Sequence, residues 1–285
     1  MLKAGIFVDA ENIMRCGGWG MRYDVLKQFV AAQGAQVVRA NAYMAIDVER
    51  EARDPEYASK KEAYRQSLRS CGFRLSLKKV KRFRNGDGEL VLKANADIEL
   101  SIDALSQARN LDYVLLLSGD GDFTRLVGAL QDQGTRVDVL AFHHVSGELR
   151  EVADNYCSGF LVPGLVPVDE GRTRGYLHMV NEDKYFGWLT VPRGLVLGEV
   201  DQDVFLHGND LENGTLPNKV FSDLKGNHNV IEFTMSEEQR GRRAVRAVRM
   251  RLAEPPTVPA PRTGATAPAI APAATPLLPK ESPGS

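Results

Sequence analysis

The sequence predicts an α/β domain with a mostly parallel sheet flanked by helices, followed by a small all-β barrel and a disordered Pro/Ala-rich tail. Three observations point there. From residue 4 to about 163, short apolar runs alternate with amphipathic segments, the rhythm of a parallel sheet covered by helices on both faces. From 175 to 248 the runs are short, β-rich and separated by Gly, Asn and Asp, which suits a small antiparallel barrel. From Pro255 onward the chain is mostly Ala, Pro and Thr and cannot bury a core.

Taken in order, the apolar runs predict strands at 5–8, 36–44, 113–117, 136–141 and 160–162. Helical spacing predicts helices at 23–32, 55–70, 97–108, 123–133 and 147–155. In the third helix Ile98, Ile102 and Leu105 recur at i, i+4 and i+7 and mark one buried stripe. Residues 75–83, a turn at 85–88 and 89–93 read as a hairpin-like excursion with a basic face. Pro and Gly around 162–171 mark a linker. The resulting division is 1–165 for the α/β domain, 166–173 for the linker, 174–252 for the barrel and 253–285 for the tail.

At 285 residues the chain has room for two modest domains. Its 43% hydrophobic content and net charge of -1 exclude a chain disordered throughout, and no apolar run approaches the ~20 residues of a membrane-spanning helix. Asp9 interrupts the apolar stretch a signal peptide would need, so the N-terminus reads as the first strand of a cytoplasmic protein. Cys16, Cys71 and Cys157 lie far apart without a CxxC pair, which argues against a disulfide framework, a disulfide-linked partner or a zinc knuckle. The near-zero charge hides two basic stretches. "RLSLKKVKRFR" at 74–84 and "RGRRAVRAVRMR" at 240–251 each hold six basic residues and no acid.

The densest chemical signal is "SGDGDF", residues 118–123, directly after the apolar run 113–117. Two carboxylates one glycine apart, with no cation beside them, imply a helix N-terminus, a metal ion, or both. In a doubly wound sheet, ligands sit beyond the carboxyl ends of the strands. Asp9 ends the first strand, Asp120 and Asp122 follow a central one, and Asp97 opens the helix before it. Four carboxylates at one edge raise one another's pKa values. A hard divalent cation, Mg²⁺ or Mn²⁺, relieves that conflict. Each aspartate also has a structural reading: Asp122 as N-cap of 123–133, Asp97 in a first turn capped by Asn95, and Asp9 as a strand-end turn residue with Asn12 as the following cap. Asp103 points about 120° away from Asp97 around its helix and suits a structural hydrogen bond. His143 and His144 follow the strand at 136–141 and read as solvent-exposed loop residues.

"GIFVDAENI", "KANADIELSIDAL" and "YVLLLSGDGDFTRLVGALQDQGTRVDVLA" together resemble the NYN domain, in its LabA-like branch, part of the PIN-like (Rossmann-like) ribonuclease superfamily. The resemblance covers roughly 3–163. It implies a hydrolase that cleaves RNA with Mg²⁺ or Mn²⁺ bound by Asp9, Asp97, Asp120 and Asp122, with Asn12 as a further catalytic polar residue. One departure is that Lys93 is followed by Ala94-Asn95-Ala96 where the family commonly has Lys-Gly.

"GYLHMVNEDKYFGWLTV", "DVFLHGNDLENG" and "VIEFTMSEEQRGRRAVRAV" resemble a cold-shock domain over about 174–249, which implies that the small barrel is of the OB type. The resemblance implies an aromatic platform for single-stranded nucleic acid at Phe186, Trp188, Phe205 and His207, with Lys184 at the motif lysine. Met179-Val180 replaces the family's Trp-Phe pair, and Tyr185 stands where glycine is usual. If Trp188 and Tyr185 are instead incidental surface, Phe186 and Phe205 are barrel core.

Phosphate contacts are expected from Lys78, Lys79, Lys81, Arg82 and Arg84, and from Arg240, Arg242 and Arg243. Solvated hairpin and edge-strand faces are the structural alternatives. The function that follows is a metal-dependent ribonuclease with a C-terminal module for single-stranded RNA, acting away from membranes. The main alternative is a noncatalytic RNA-binding regulator. A Toprim-type enzyme fits less well because its first strand normally carries a glutamate, and a dinucleotide-binding fold lacks its Gly-x-Gly-x-x-Gly turn here.

Overall fold

The computed structural model describes residues 1–84, 90–93, 96–212, 216–238 and 241–250, without the side chains of 81–84, 90–93 and 238. The expected tail at 253–285 and the turn at 85–88 lie outside the described residues.

In chain order the elements are β1 (Leu2–Asp9), α1 (Ala10–Arg15), α2 (Tyr23–Ala32), β2 (Ala35–Ile46), α3 (Val48–Arg53), α4 (Pro55–Ser70), β3 (Arg74–Lys79), β4 (Lys81–Arg84) and β5 (Leu90–Lys93). They continue with α5 (Asp97–Ala108), β6 (Tyr113–Leu117), α6 (Thr124–Gln131), β7 (Arg136–Ala141), α7 (Gly147–Val152) and β8 (Asn155–Ser158). The barrel adds β9 (Arg172–Asn181), β10 (Phe186–Pro192), β11 (Val200–His207), α8 (Asn218–Ser222), β12 (Ile231–Glu238) and β13 (Gly241–Arg249).

Six strands form one parallel sheet in the order β3-β2-β1-β6-β7-β8. Its central strands are buried on both sides. Ile6, Val8, Leu115 and Leu117 pack with Leu26, Phe29 and Val30 of α2, whereas Phe7, Val114 and Leu116 pack with Leu100, Ala104, Leu126 and Leu130 of α5 and α6. Each such side chain contributes about 1.5–3 kcal/mol on burial. The strand order reverses between β1 and β6, so the loops after these two strands diverge and leave a crevice.

Several boundaries differ from the sequence-based expectation. The apolar run Phe160-Leu161-Val162 is a buried 3₁₀ turn and its flank, and the edge strand is the more polar Asn155–Ser158. An edge strand pairs on one side only, so it does not need a continuous apolar run. Helix 123–133 starts at Thr124 after a 3₁₀ turn at Gly121–Phe123, and helix 147–155 stops at Val152. The short helices α1 and α3, six residues each, are too brief to show a periodicity and rest on caps from Asp9 and Asp47.

The stripe expected on α5 holds only at Leu105, which packs partly buried against the core. Ile98 and Ile102 are 68% and 58% exposed, and the buried side is Leu100, Ala104 and Ala108. Both sets have helical spacing, and the alanines let the helix lie close on the sheet. The expected hairpin also divides: β3 joins the large sheet beside β2, and only β4 and β5 pair antiparallel.

The barrel closes in the order β10-β11-β13-β12-β9 around Leu177, Leu189, Val204, Leu206, Phe221, Ile231 and Phe233. It is docked on the sheet domain. The Gln33 side chain donates to the Leu195 carbonyl (2.7 Å) and accepts from the Leu197 N–H (3.1 Å). Asn227 donates to the Tyr156 carbonyl (3.1 Å), and Val230 is buried in the same cluster as the sheet residues. Within the Pro/Gly-marked segment, Leu165 and Val166 are buried in that cluster too.

Candidate functional site

Asp9 is the last residue of β1 and the N-cap of α1. Its carboxylate accepts from the Asn12 N–H (3.1 Å) and from the Ser118 hydroxyl (3.2 Å). Asn12 is therefore not the cap. Its side-chain oxygen instead accepts the Gly119 N–H (2.9 Å), stitching the loop after β6 to α1. A Cβ at Gly119 would lie 3.1 Å from the His144 carbonyl, so the close approach of these two loops favours glycine. The capping role expected of Asp122 belongs to Asp120, whose carboxylate accepts the Asp122 N–H (3.0 Å) at the start of the 3₁₀ turn. Asp122 is left exposed.

Asp97 is the first residue of α5, whose N-cap is Ala96 without a side-chain cap; Asn95 lies outside the described residues. One carboxylate oxygen from each of Asp97, Asp120 and Asp122 lies within 4.8 Å of the other two. Asp9 is only 8% exposed. Burial pushes its carboxyl up to about 6, the Asp97 charge adds to the rise, and the Asn12 N–H and Ser118 hydroxyl oppose it. The donor set fits a small hard cation. The three grouped residues offer carboxylate oxygens, and Mg²⁺ ligands at ~2.1 Å from the ion lie up to roughly 4.2 Å apart, slightly closer than the present spread. Asp103 stands outside the cluster and accepts from the buried Tyr43 hydroxyl (2.9 Å), a structural bond.

An open cleft of about 620 Å³ adjoins Asp120, lined also by Asn12, Arg15, Cys16, His144 and Ser146. Arg15 was not singled out from the sequence. It lies three residues after Asn12, on the same side of α1, which becomes visible only once that short helix is known. Ser118, fully buried and bonded to Asp9, was also missed; its signal is a polar residue directly after a buried strand. His144 is exposed as expected, but His143 is half-buried, its ring 4.7 Å from that of Phe160.

On the barrel, alternate residues of β10 and β11 face opposite ways. Gly187, Leu189, Val204 and Leu206 point inward, while Phe186, Trp188, Phe205 and His207 form a half-exposed outer face. Trp188 pairs with Phe205 and Phe186 with His207 across the strands. Ring centroids of Phe205 lie 5.4 Å from Phe186 and 5.6 Å from Trp188. Met179, 47% exposed, pairs with Trp188 from β9 and extends this row. Neither Phe186 nor Phe205 is barrel core. Tyr185 is not incidental surface either: its hydroxyl accepts the Leu216 N–H (2.7 Å) and its ring lies 4.9 Å from Phe221. Its φ of 54° is the left-handed conformation that explains glycine as the usual residue there.

The basic residues divide. Lys79 and Lys184 are exposed, and Lys78 is paired with Glu99. Arg242 is held by Asp201 (2.6 Å) and by Asp203, and Arg243 is bound by both oxygens of Asp210 while its guanidinium sits 5.9 Å from the Phe205 ring. The side chains of Lys81, Arg82 and Arg84 are not among those described, and Arg240 lies outside the described residues. No helix among the described residues is long and apolar enough to cross a membrane, and the three cysteines are free.

The parallel sheet thus carries a group of aspartates beside its topological switch. The NYN domain profile matches residues 3–161, more than half of the chain, and the protein belongs to that family, within the PIN-like ribonuclease superfamily. It is 29% identical over 164 residues to the "Low amplitude and bright protein LabA" of Synechococcus elongatus, an alignment spanning 54% of this chain and 82% of that one. A crystal structure of a Vibrio parahaemolyticus protein of unknown function is 31% identical, with a TM-score of 0.46, over 55% of this chain and 92% of that one.

Proposed function

We propose that the protein is a metal-dependent ribonuclease whose barrel grips single-stranded RNA. The observation that carries this reading is the meeting of Asp97, Asp120 and Asp122 oxygens within 4.8 Å, beside Asp9, at the edge of an NYN domain. Mg²⁺ or Mn²⁺ is the cation this donor set suits. Once bound, it supplies Lewis acidity toward a phosphoryl oxygen and an attacking water.

The chain's own residues do the rest. Asp97, Asp120 and Asp122 hold the cation, and Asp9 completes the set when its proton is lost. Asn12 fixes Gly119, and Ser118 fixes Asp9, so the carboxylates are positioned before substrate arrives. Arg15, at the cleft beside Asp120, is placed to take a non-bridging phosphate oxygen. Bases stack on Phe186, Trp188, Phe205 and His207, each stacked base contributing about 1–3 kcal/mol with little sequence preference. Because the barrel is docked on the sheet domain, the two surfaces engage one strand without first ordering a linker.

The test is cleavage of a labelled single-stranded RNA by the wild type and by Asp97→Asn, each with Mg²⁺, Mn²⁺ or EDTA, with binding measured in parallel. Cleavage lost in EDTA and in the variant, with binding retained, supports the reading. Tight binding by the wild type without cleavage under either metal overturns it in favour of a noncatalytic RNA-binding protein.

A further inference from the structure

Among the described residues, all but one of the barrel's arginines have a carboxylate partner. Arg172 and Arg174 pair with Glu232, Arg193 and Arg242 with Asp201, Arg243 with Asp210 and Arg246 with Glu212. Arg249, at the end of β13, differs. It is half-buried, has no carboxylate partner among the described residues, and donates to the neutral side-chain oxygen of Asn229 (2.8 Å). On the sheet domain, Arg150 of α7 is in the same condition: half-buried, without an ion pair among the described residues, and with its Nε buried and lacking an acceptor.

These two guanidinium groups belong to one seam. His228, just before β12, is held below its ordinary pKa by burial first and then by the nearby charges of Arg150 and Arg249. His143, just after β7, is pushed down to about 4 by burial, with His144 and Arg249 adding to the effect. His144 is exposed and lines the cleft that holds Asp120. The His143 ring lies 6.4 Å from that of His144, and Arg249 and His228 both bond the Asn229 side chain (2.8 and 3.2 Å), with Arg150 near enough for its charge to act on His228. None of them is bonded to a carboxylate among the described residues. With half-buried His143 neutral at pH 7, the fixed positive charge rests on the two arginines, and an acceptor is missing at the buried Arg150 Nε.

We infer that this seam binds the phosphodiester backbone of the RNA strand whose scissile bond lies at the acidic edge, with Arg249 and Arg150 as the phosphate ligands. The inference rests on the ribonuclease reading and adds to it the path of the substrate. It also gives the docking of the barrel a role, since Arg249 comes from the barrel and Arg150 from the sheet domain.

The experiment is anisotropy of a labelled single-stranded RNA bound to the full chain in EDTA, over a series of salt concentrations, with circular dichroism confirming each fold. Arg249→Gln and Arg150→Gln should each weaken binding roughly tenfold at low salt and lower the slope of log affinity against log salt by about 0.7. Arg249→Lys should restore the slope, and Arg246→Gln, whose charge is already engaged by Glu212, should leave it unchanged. Wild-type slopes in both glutamine variants overturn the seam and leave the ribonuclease reading standing, whereas a wild type that binds no RNA overturns both. Inorganic phosphate is the competitor that separates sources: displacement of RNA at equal phosphate-group concentration would mark a free-anion site and contradict a strand as the occupant.

Discussion

The acidic edge and the outer face of the barrel use carboxylates in opposite ways. On the barrel, Asp201, Asp210 and Glu212 face arginines, so charge is settled within the fold and the aromatic rings are the groups left to act. At the sheet edge, carboxylates face one another, and Asp9 meets the Asp97 charge while buried. Under the proposed function a divalent cation relieves that repulsion. The difference teaches that charge count is a poor guide to function here: among the described residues the arginine-rich strand largely meets carboxylates, whereas the acidic edge gathers like charges.

Substitutions at the acidic edge give the largest expected effect. Asp120→Asn should reduce RNA cleavage by about a thousandfold or more while RNA affinity measured in EDTA stays within about twofold, since its role is charge stabilisation at the reacting phosphate. Trp188→Ala should do the reverse, weakening RNA binding by roughly 5- to 150-fold, the equivalent of ~1–3 kcal/mol of stacking, with cleavage at saturating RNA retained. Equal losses of binding and cleavage in both variants would break the division between the two regions.

The pH dependence sharpens the same contrast. Asp9 has a folded pKa near 6, above the ordinary 3.8. In metal-free protein its contribution to stability is therefore fully present below about pH 3.8 and is lost as the pH rises through about 6, a change on the order of 3 kcal/mol. Thermal unfolding of wild type against Asp9→Asn in EDTA reads this directly, and added Mn²⁺ should reverse the loss at pH 7. Cleavage should fall below about pH 6 as protons displace the cation. The smallest effect belongs to Arg242→Ala. Its charge is already taken by Asp201 and Asp203, so RNA affinity should change by less than about twofold.

Much of this was legible in the sequence. β6, β7, α2, α4 and α5 fall where periodicity placed them, because each is long enough or apolar enough to declare its period. Of the four carboxylates expected at one edge, the structure groups Asp97, Asp120 and Asp122, with Asp9 outside that group. What was hidden depended on partners distant in sequence. Periodicity gave α5 two candidate faces, and only packing against the sheet selects Leu100 over Ile98 and Ile102. Leu100→Ala should accordingly cost 2–5 kcal/mol and Ile98→Ser within about 0.5 kcal/mol in denaturant unfolding. Six-residue α1 left Arg15 unplaced, and the ion pairs of Arg242 and Arg243 join residues more than thirty positions apart. The seam of Arg150 and Arg249 was invisible for the same reason, since it exists only where the barrel meets the sheet domain.

The central claim is that the acidic edge holds a divalent cation. Calorimetric titration of Mn²⁺ into the metal-free protein at pH 7.5 tests it most directly, comparing wild type, Asp97→Asn, Asp120→Asn and Trp188→Ala. Saturable binding by the wild type and Trp188→Ala, weakened at least tenfold in both aspartate variants, is the predicted result. The same Mn²⁺ affinity in all four proteins, or none in the wild type, would contradict it.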